Sequence, residues 1–176
     1  MIRALASLFM LSLLPSLGNA GIVPGPTNNP ANGHSYYLLS DQSWDDAEAE
    51  ALTLGGHLVT VNDAAENQWL VDTFGPSGTG FLGIGYNDAA AVEGTFAWSS
   101  GQTPAYTNWA AGEPSNSGSG EDHVVLLTRL LPNIGQWNDG RGTAFGVAEV
   151  VIAAVPEPSS ALLFLKLHFR ISQISS

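Results

Sequence analysis

The chain has 176 residues, of which 44% are apolar and 9% aromatic, which suits one globular domain rather than two. Twenty glycines and ten prolines exclude a helical bundle, because so many turn-forming residues interrupt long helices. Five basic residues against sixteen acidic ones give a net charge of −11, which excludes a nucleic-acid binder, and the absence of cysteine excludes disulfides and thiolate metal sites.

The first twenty residues are predicted to form a secretory signal peptide. Arg3 supplies a positive start, residues 4–14 form an apolar run too short to span a bilayer, and Gly18 and Ala20 are the small residues of a cleavage site. We therefore expect an exported protein that is secreted or held at the cell surface. Residues 21–32 are interpreted as an irregular lead-in to a domain over residues 33–153.

Two helices are predicted in the first half of this domain. Ser43 is the expected cap of the first helix. Its apolar residues recur at three- and four-residue steps, namely Trp44, Ala47, Ala51 and Leu54. Asn62 or Asp63 is expected to cap a second helix over residues 64–73, and the side chains expected to face inward are Trp69, Leu70 and Phe74.

Short β-type runs surround one long irregular stretch. Residues 99–120 consist largely of Gly, Pro, Asn and Ser, and a loop of that length inside a compact domain is usually functional. Two early helices with several short strands indicate an α+β domain. The predicted strands are residues 34–39, 58–61, 81–86, 95–98, 124–130 and 146–153.

Oxygen-bearing side chains gather at the end of the long stretch and beyond it. Glu113 and Glu121 lie in the loop, and Asn138 and Asp139 follow later in the chain. Carboxylate and amide oxygens are the ligands that Ca²⁺ takes at flexible distances, whereas Zn²⁺ favours His or Cys. The pattern therefore predicts a calcium site. A cis peptide bond before Pro114 is a further hypothesis, because it would turn the groups on either side toward one ion.

These residues belong to a set of separated motifs that resembles the C-type lectin domain over roughly residues 33–149. The motifs occur in the family's order, so their combination is far more specific than any one of them. The resemblance implies two helices packed on small antiparallel sheets with a long irregular loop region, and the lack of cysteine is typical of bacterial members. The matching segments are Ser43-Trp44-Asp45-Asp46-Ala47, Gly55-Gly56-His57-Leu58, Glu66 with Leu70, Phe81-Leu82-Gly83-Ile84, Thr107-Asn108-Trp109 and Trp137-Asn138-Asp139.

The resemblance implies a calcium-dependent sugar site, because this family binds sugars whose hydroxyl groups ligate the ion. Carried over by position, the calcium ligands are Glu113, Ser115, Glu121, Asn138 and Asp139, and the same five residues contact the carbohydrate. Ser115 stands where the family carries an amide or a carboxylate. Its hydroxyl is a shorter and weaker ligand, which leaves the class of sugar open.

The resemblance also locates an auxiliary calcium site and the family's disulfides. The outer disulfide would fall at Ala51 and Ala148 and the inner one at about His123 and Gly142, so packing and bound calcium must supply the stability of the missing cross-links. The residues implied for the auxiliary calcium site are Asp88, Glu93, Asn116 and Asp122.

Residues 154–176 form a tail with a sorting motif. Pro156-Glu157-Pro158 resembles the PEP-CTERM signal, which an exosortase reads during bacterial export of surface and biofilm proteins. In that family an apolar membrane helix and a basic cluster follow the motif. Here the apolar run stops at Leu165, so no stable membrane span is predicted and the tail is interpreted as degenerate.

The expected function is calcium-dependent binding of a carbohydrate, either a glycan or an exopolysaccharide. The alternative is a protein-binding or structural module of the biofilm matrix on the same fold, which Ser115 favours. A glycosidase that uses Glu113 and Glu121 as a carboxylate pair is a third class. We do not expect an enzyme, because clustered carboxylates beside Asn138 and Asp139 suit cation ligation better.

Overall fold

The computed structural model describes residues 25–77, 80–89, 92–117, 120–129 and 132–151. The predicted signal peptide and the predicted tail at residues 154–176 lie outside these ranges. Within the ranges, no helix is both long enough and apolar enough to cross a membrane.

Short strands and two helices make up the described chain. A single turn of 3-10 helix, Gly75–Ser77, follows the second helix. The elements are β1 (Thr27–Asn28), β2 (Ser35–Ser43), α1 (Trp44–Thr53), β3 (His57–Leu58), α2 (Ala64–Phe74), β4 (Phe81–Asn87), β5 (Ala97–Trp98), β6 (His123–Leu127), β7 (Trp137–Gly140) and β8 (Thr143–Val150).

The strands form one mixed sheet in the order β1-β2-β8-β4-β6-β7, with β3 beside β8 and β5 beside β4. β2 and β8 pair antiparallel along most of their length, so the two ends of the domain meet. β8 also pairs in parallel with β4, where Leu82 opposes Phe145. This parallel contact joins the strands into one sheet instead of the small antiparallel sheets expected, while the α+β class with two helices is confirmed.

Both helices begin at capping residues that the sequence indicates. The Ser43 Oγ accepts a hydrogen bond from the Asp46 N–H at 3.2 Å, and the Asp63 Oδ1 accepts one from the Glu66 N–H at 2.8 Å. Each cap satisfies a free N–H of the first helical turn. Asp63 is therefore the cap of α2. The helices bury Ala47, Ala51, Leu70, Val71 and Phe74, and Trp69 is half-buried.

Most strands differ in their bounds from the prediction, and β1 and β7 lie where no strand was predicted. β2 extends to Ser43, because it pairs with β8 again from Asp41 to Ser43 after an irregularity between Leu38 and Asp41. β3 ends at Leu58 although the next residues are buried, because the Glu149 carboxylate accepts the Thr60 N–H at 3.1 Å in place of a neighbouring strand.

Trp137 lies at the centre of an aromatic cluster against which the long loop packs. Its side chain is fully buried, and its ring centroid lies 5.7–5.9 Å from four other rings. Its backbone N–H donates to the Asn108 carbonyl at 2.8 Å, and its indole N–H donates to the Asn67 Oδ1 at 2.7 Å. The loop, α2 and β7 are thus held together. The four surrounding rings are Tyr86, Trp98, Tyr106 and Trp109.

A second apolar cluster lies between α1 and the sheet. Ala51 of α1 and Ala148 of β8 are both fully buried in it, together with Leu39 and Leu58. The two positions at which the resemblance puts the outer disulfide are therefore filled by close packing of small side chains.

Candidate functional site

The end of the long loop lies against β7. Trp109 forms a bridge with Trp137, and the Glu113 N–H donates to the Ala110 carbonyl at 3.0 Å. The peptide bond between Glu113 and Pro114 is cis, which confirms that part of the sequence-based hypothesis. The end of the loop therefore lies beside β7, next to Asp139.

Asp139 holds this part of the loop through its carboxylate. The residue is fully buried, and its two side-chain oxygens accept the backbone N–H groups of Ser115 at 3.0 Å and Asn116 at 2.8 Å. Burial opposes ionisation, but these two N–H groups and the Glu113 side chain outweigh it. They hold the pKa of Asp139 below its ordinary value.

Glu113 forms an acid pair with Asp139. Burial raises the pKa of Glu113, and a side-chain hydrogen bond with Asp139 raises it further, so the Glu113 carboxyl is the proton donor of the pair. The Glu113 Oε2 is buried and has no hydrogen-bond partner. A buried carboxyl oxygen of this kind normally pairs with a hydrogen-bond donor or a cation.

Asn116 and Glu121 close the rest of the loop. The Asn116 Oδ1 accepts the N–H groups of Gly120 at 3.0 Å and Glu121 at 3.2 Å. The Glu121 Oε2 accepts the Ser117 N–H. Asn138 donates from its side-chain amide to the carbonyl of Asp139. Glu121 is therefore hydrogen-bonded within the same loop in which Ser115 and Asn116 donate to Asp139.

A cavity of about 250 Å³ lies on the sheet face opposite the Trp137 cluster. Asn138 and Glu121 line it, whereas Glu113, Ser115 and Asp139 do not. Side chains alternate between faces along a strand, so neighbouring residues of β7 point to opposite sides. The structure thus brings Glu113, Ser115 and Asp139 into one hydrogen-bonded group and places Glu121 and Asn138 beside it at the cavity.

The donor set suits calcium in chemical type. Carboxylate, amide and hydroxyl oxygens are hard ligands, and the unpartnered Glu113 Oε2 is available to an ion. Among the described residues, however, no three His, Asp or Glu side chains are arranged to hold a metal. Both Asp139 side-chain oxygens already accept backbone N–H groups. A cation would compete with those donors and with the hydrogen bond between Glu113 and Asp139.

The residues of the implied auxiliary site also lie together. Asp88 is buried, its Oδ1 has no partner, and its Oδ2 accepts the Gly94 N–H at 2.7 Å. Partial desolvation and then the nearby Asp88 and Asp122 carboxylates raise the pKa of Glu93. Asn116 forms a side-chain hydrogen bond that partly offsets this rise. The structure thus brings together four acidic or amide side chains with an orphaned carboxylate oxygen.

A buried polar network near the lead-in contains none of the residues that the sequence predicted for the calcium and sugar site. The Tyr36 hydroxyl donates to the Glu66 Oε1 at 2.6 Å and lies 3.1 Å from the Glu149 Oε1, which the His34 Nδ1 approaches to 2.6 Å. Burial, followed by the hydrogen bond to Glu66, raises the pKa of Tyr36 far above its ordinary range. His34 and Glu149 are 115 residues apart, so no local pattern could have paired them.

His123 occupies one position of the implied inner disulfide and packs there. Its ring stacks on Trp44 with a centroid distance of 4.7 Å and an interplanar angle of 16°. Its Nε2 is buried without a hydrogen-bond partner. Burial lowers the pKa of His123, against the opposing effect of Asp45, Asp122 and Asp88.

Comparison with known proteins finds one matching family and many similar structures. The family model "Lectin C-type domain" matches residues 40–143, which is more than half of the chain. The mouse low affinity immunoglobulin epsilon Fc receptor is 34% identical over 104 residues, which cover 59% of this chain and 29% of the receptor. Ladderlectin of Oncorhynchus mykiss is 36% identical over 105 residues, which cover 58% of this chain and 53% of ladderlectin. The chain thus spans about half or less of the length of these relatives.

Solved structures agree on the fold. The C-type lectin CEL-I of Cucumaria echinata superposes with a TM-score of 0.62 at 27% identity, covering 68% of this chain and 91% of CEL-I. The cow carbohydrate-recognition domain of CD23, solved in the presence of a GlcNAc2Man3 oligosaccharide, gives 0.59 at 28% identity, covering 69% and 90%. A calcium-independent type II antifreeze protein, at 21% identity and a TM-score of 0.60, shares the fold alone.

Proposed function

Because the chain belongs to the C-type lectin domain family, we propose that it is an exported, non-enzymatic protein that binds carbohydrate through a loop-bound calcium ion. The observation that carries the proposal is the pairing of Glu113 with Asp139, beside the unpartnered Glu113 Oε2. Two acidic groups are hydrogen-bonded to each other there, and a divalent cation would satisfy both.

The residues that would hold calcium are Glu113, Ser115, Glu121, Asn138 and Asp139. When bound, the ion would supply a Lewis-acidic centre that takes sugar hydroxyl oxygens as ligands. The protein's part is to deliver these oxygens from two segments that the Asp139 hydrogen bonds already hold together. Binding would release the proton from Glu113, so calcium affinity should rise with pH.

The same residues would orient the sugar. Carboxylate and amide groups that ligate an ion keep further lone pairs or N–H groups for hydrogen bonds to hydroxyls. The auxiliary group of Asp88, Glu93, Asn116 and Asp122 is proposed as a second cation site. Its support is the buried, unpartnered Asp88 Oδ1.

The test is thermal unfolding and calorimetric titration with calcium, followed by a glycan array with and without chelator. A ligand that binds only the folded state stabilises it by about 2.7 kcal/mol at one hundred times its Kd. Calcium should therefore raise the melting temperature, and Glu121→Ala should reduce the rise to the part that the proposed second site at Asp88 supplies. Glu50→Ala is the matched control, because Glu50 lies on α1 and accepts from Gln42. If chelator changes neither the melting temperature nor glycan binding, the ligand assignment is wrong.

A second candidate function rests on Ser115. Its side chain is exposed and shorter than the amide it replaces in the resemblance, so a sugar would find one fewer strong partner. The alternative is a calcium-stabilised module that binds a protein or builds the biofilm matrix. Stabilisation by calcium without binding of any glycan would favour this alternative. Ser115→Asn should then create or strengthen sugar binding.

The proposed location is outside the cell. A signal peptide at residues 1–20 would direct export, and the PEP-CTERM-like tail would be read by an exosortase in a bacterial host. Neither segment lies within the described residues. Fractionation of cells expressing the full chain, with and without Pro156-Glu157-Pro158, tests both steps. Protein retained in the cytoplasm would contradict the first, and identical surface attachment of both forms would contradict the second.

A further inference from the structure

Residues 25–34 form an N-terminal strap that pairs with the start of β2 and ends in a turn beside α2. The side-chain amide of Asn32, in this turn, donates to the Tyr36 hydroxyl at 2.7 Å and to the Glu66 Oε1 at 3.1 Å. Tyr36 belongs to β2 and Glu66 to α2. One amide group on the strap is therefore hydrogen-bonded to two elements of the domain.

The atoms that receive the Asn32 amide belong to a buried acidic group. Glu66 and Glu149 are each 6% exposed, and the Tyr36 hydroxyl donates to the Glu66 Oε1 at 2.6 Å and lies 3.1 Å from the Glu149 Oε1. A hydroxyl has one proton to donate, so two carboxylates depend on further donors. The His34 Nδ1, 2.6 Å from the same Glu149 oxygen, and the Asn32 amide both approach this group. A carboxylate at position 32 would offer no N–H and would add a third negative charge.

Asn32 is followed by glycine, and the chain contains no other Asn-Gly pair. An asparagine before glycine loses its side-chain amide more readily than one before a larger residue, because no side chain hinders attack by the next backbone nitrogen. Asn32 is exposed, and a Cβ built on Gly33 would meet nothing within 4 Å. The pair therefore has access to water and is not enclosed by neighbouring groups.

We propose that Asn32 is a site of spontaneous deamidation, and that the reaction releases the strap from the domain. The Gly33 backbone nitrogen attacks the Asn32 Cγ, a nitrogen–carbon bond forms there, and the bond from Cγ to the side-chain nitrogen breaks. Ammonia leaves with the proton of the Gly33 N–H, and water opens the resulting succinimide to aspartate or isoaspartate. Nothing is oxidised or reduced. None of the residues proposed to bind calcium takes part, so the site is independent of that function.

The closed strap slows the first step. The Gly33 N–H donates to the Asn29 carbonyl at 2.8 Å, and the Asn32 Oδ1 accepts the His34 N–H at 3.0 Å. Both groups have to leave these partners before the nitrogen reaches the carbon, so the reaction needs local opening of the turn. The product then faces Glu66 with a negative charge and cannot donate to Tyr36. A transient opening is thus made permanent by the reaction.

The first measurement follows the modification itself. The full chain is incubated in EDTA in mildly alkaline buffer, folded or unfolded in urea, and position 32 is analysed by peptide mapping and mass spectrometry. We expect Asn32 to react before any other asparagine, and at least ~10-fold more slowly in the folded chain than in urea. Absence of reaction in the folded chain would overturn the proposal, and so would equal rates in the two states.

The second measurement tests release of the strap by hydrogen exchange. Asn32→Asp reproduces the aspartate product, and the amide protons of residues 27–36 should exchange roughly 10- to 100-fold faster than in the wild type. Gln102→Glu is the matched control, because it adds the same charge at an exposed position of the long loop and should leave this exchange unchanged. Wild-type exchange of these residues in Asn32→Asp would refute the release.

The third measurement needs no folded Asn32→Asp protein. Wild-type chain that has reacted is separated by ion exchange from chain that has not, and hydrogen exchange of residues 27–36 is compared between the two fractions. Asn32→Gln, incubated in parallel, keeps a side-chain amide but closes the corresponding ring much more slowly, so it should retain its initial exchange rate. Equal exchange in the two wild-type fractions, or the same acceleration in Asn32→Gln, would overturn the proposal.

Discussion

Removal of the Asp139 carboxylate should destabilise the protein even when no calcium is present. Its two oxygens accept consecutive backbone N–H groups, of Ser115 at 3.0 Å and of Asn116 at 2.8 Å, and the residue is fully buried. Asp139→Ala leaves both N–H groups without an acceptor. At about 1–3 kcal/mol for each buried donor, reduced because Ser115 is exposed to water, the expected loss is about 2–3 kcal/mol.

The assay is thermal and urea unfolding in EDTA. For a chain of this length, such a loss lowers the melting temperature by about 5–10 °C. Asp139→Asn keeps one acceptor oxygen and should fall between wild type and Asp139→Ala. Asp72→Ala is the control, because Asp72 is exposed and accepts a hydrogen bond from Gln68. If Asp139→Ala unfolds together with that control, the hydrogen bonds of Asp139 do not hold the loop.

Three further predictions concern titrating groups. Glu113→Gln should raise the melting temperature in chelator at neutral pH and weaken calcium binding. The pKa of Glu113 is raised from 4.5, so the stability that this carboxyl contributes is lost as pH rises through the raised value. An unchanged melting temperature would contradict this. His123→Phe should reduce acid sensitivity. The pKa of His123 is lowered in the folded protein, so below pH 6.5 the unfolded chain binds the proton more readily and the stability of the wild type decreases as pH decreases. Equal slopes of the unfolding free energy against pH for the two proteins, measured in urea, would refute this. Tyr36→Phe should cost about 1.5–3 kcal/mol in urea unfolding, because the hydroxyl donates to Glu66, and a loss under about 0.5 kcal/mol would contradict that role.

Features set by local sequence were predicted correctly. Helix caps act over three residues, so Ser43 was identified and the cap of α2 was narrowed to Asn62 or Asp63 without any knowledge of packing; the structure selects Asp63. The cis bond before Pro114 is local in the same sense. The motif resemblance identified the long loop whose end lies against β7.

Features that depend on distant partners could not be read from the sequence. Pairing of His34 with Glu149 joins opposite ends of the domain, and the parallel contact of β4 with β8 follows from how the sheet closes. The use of Asp139 by two backbone N–H groups is of the same kind, because a carboxylate that looks like a cation ligand in the sequence finds other donors when the loop folds.

The alanines at the outer disulfide positions and the stacked His123 ring have a practical consequence. No sulfur–sulfur bond has to form or reshuffle during folding, because the chain has no cysteine. Denatured protein should therefore refold equally well in dithiothreitol and in air, and expression in a reducing cytoplasm should yield the same domain as secretion. Tolerance of thiol reagents is thus a property of how this core is built.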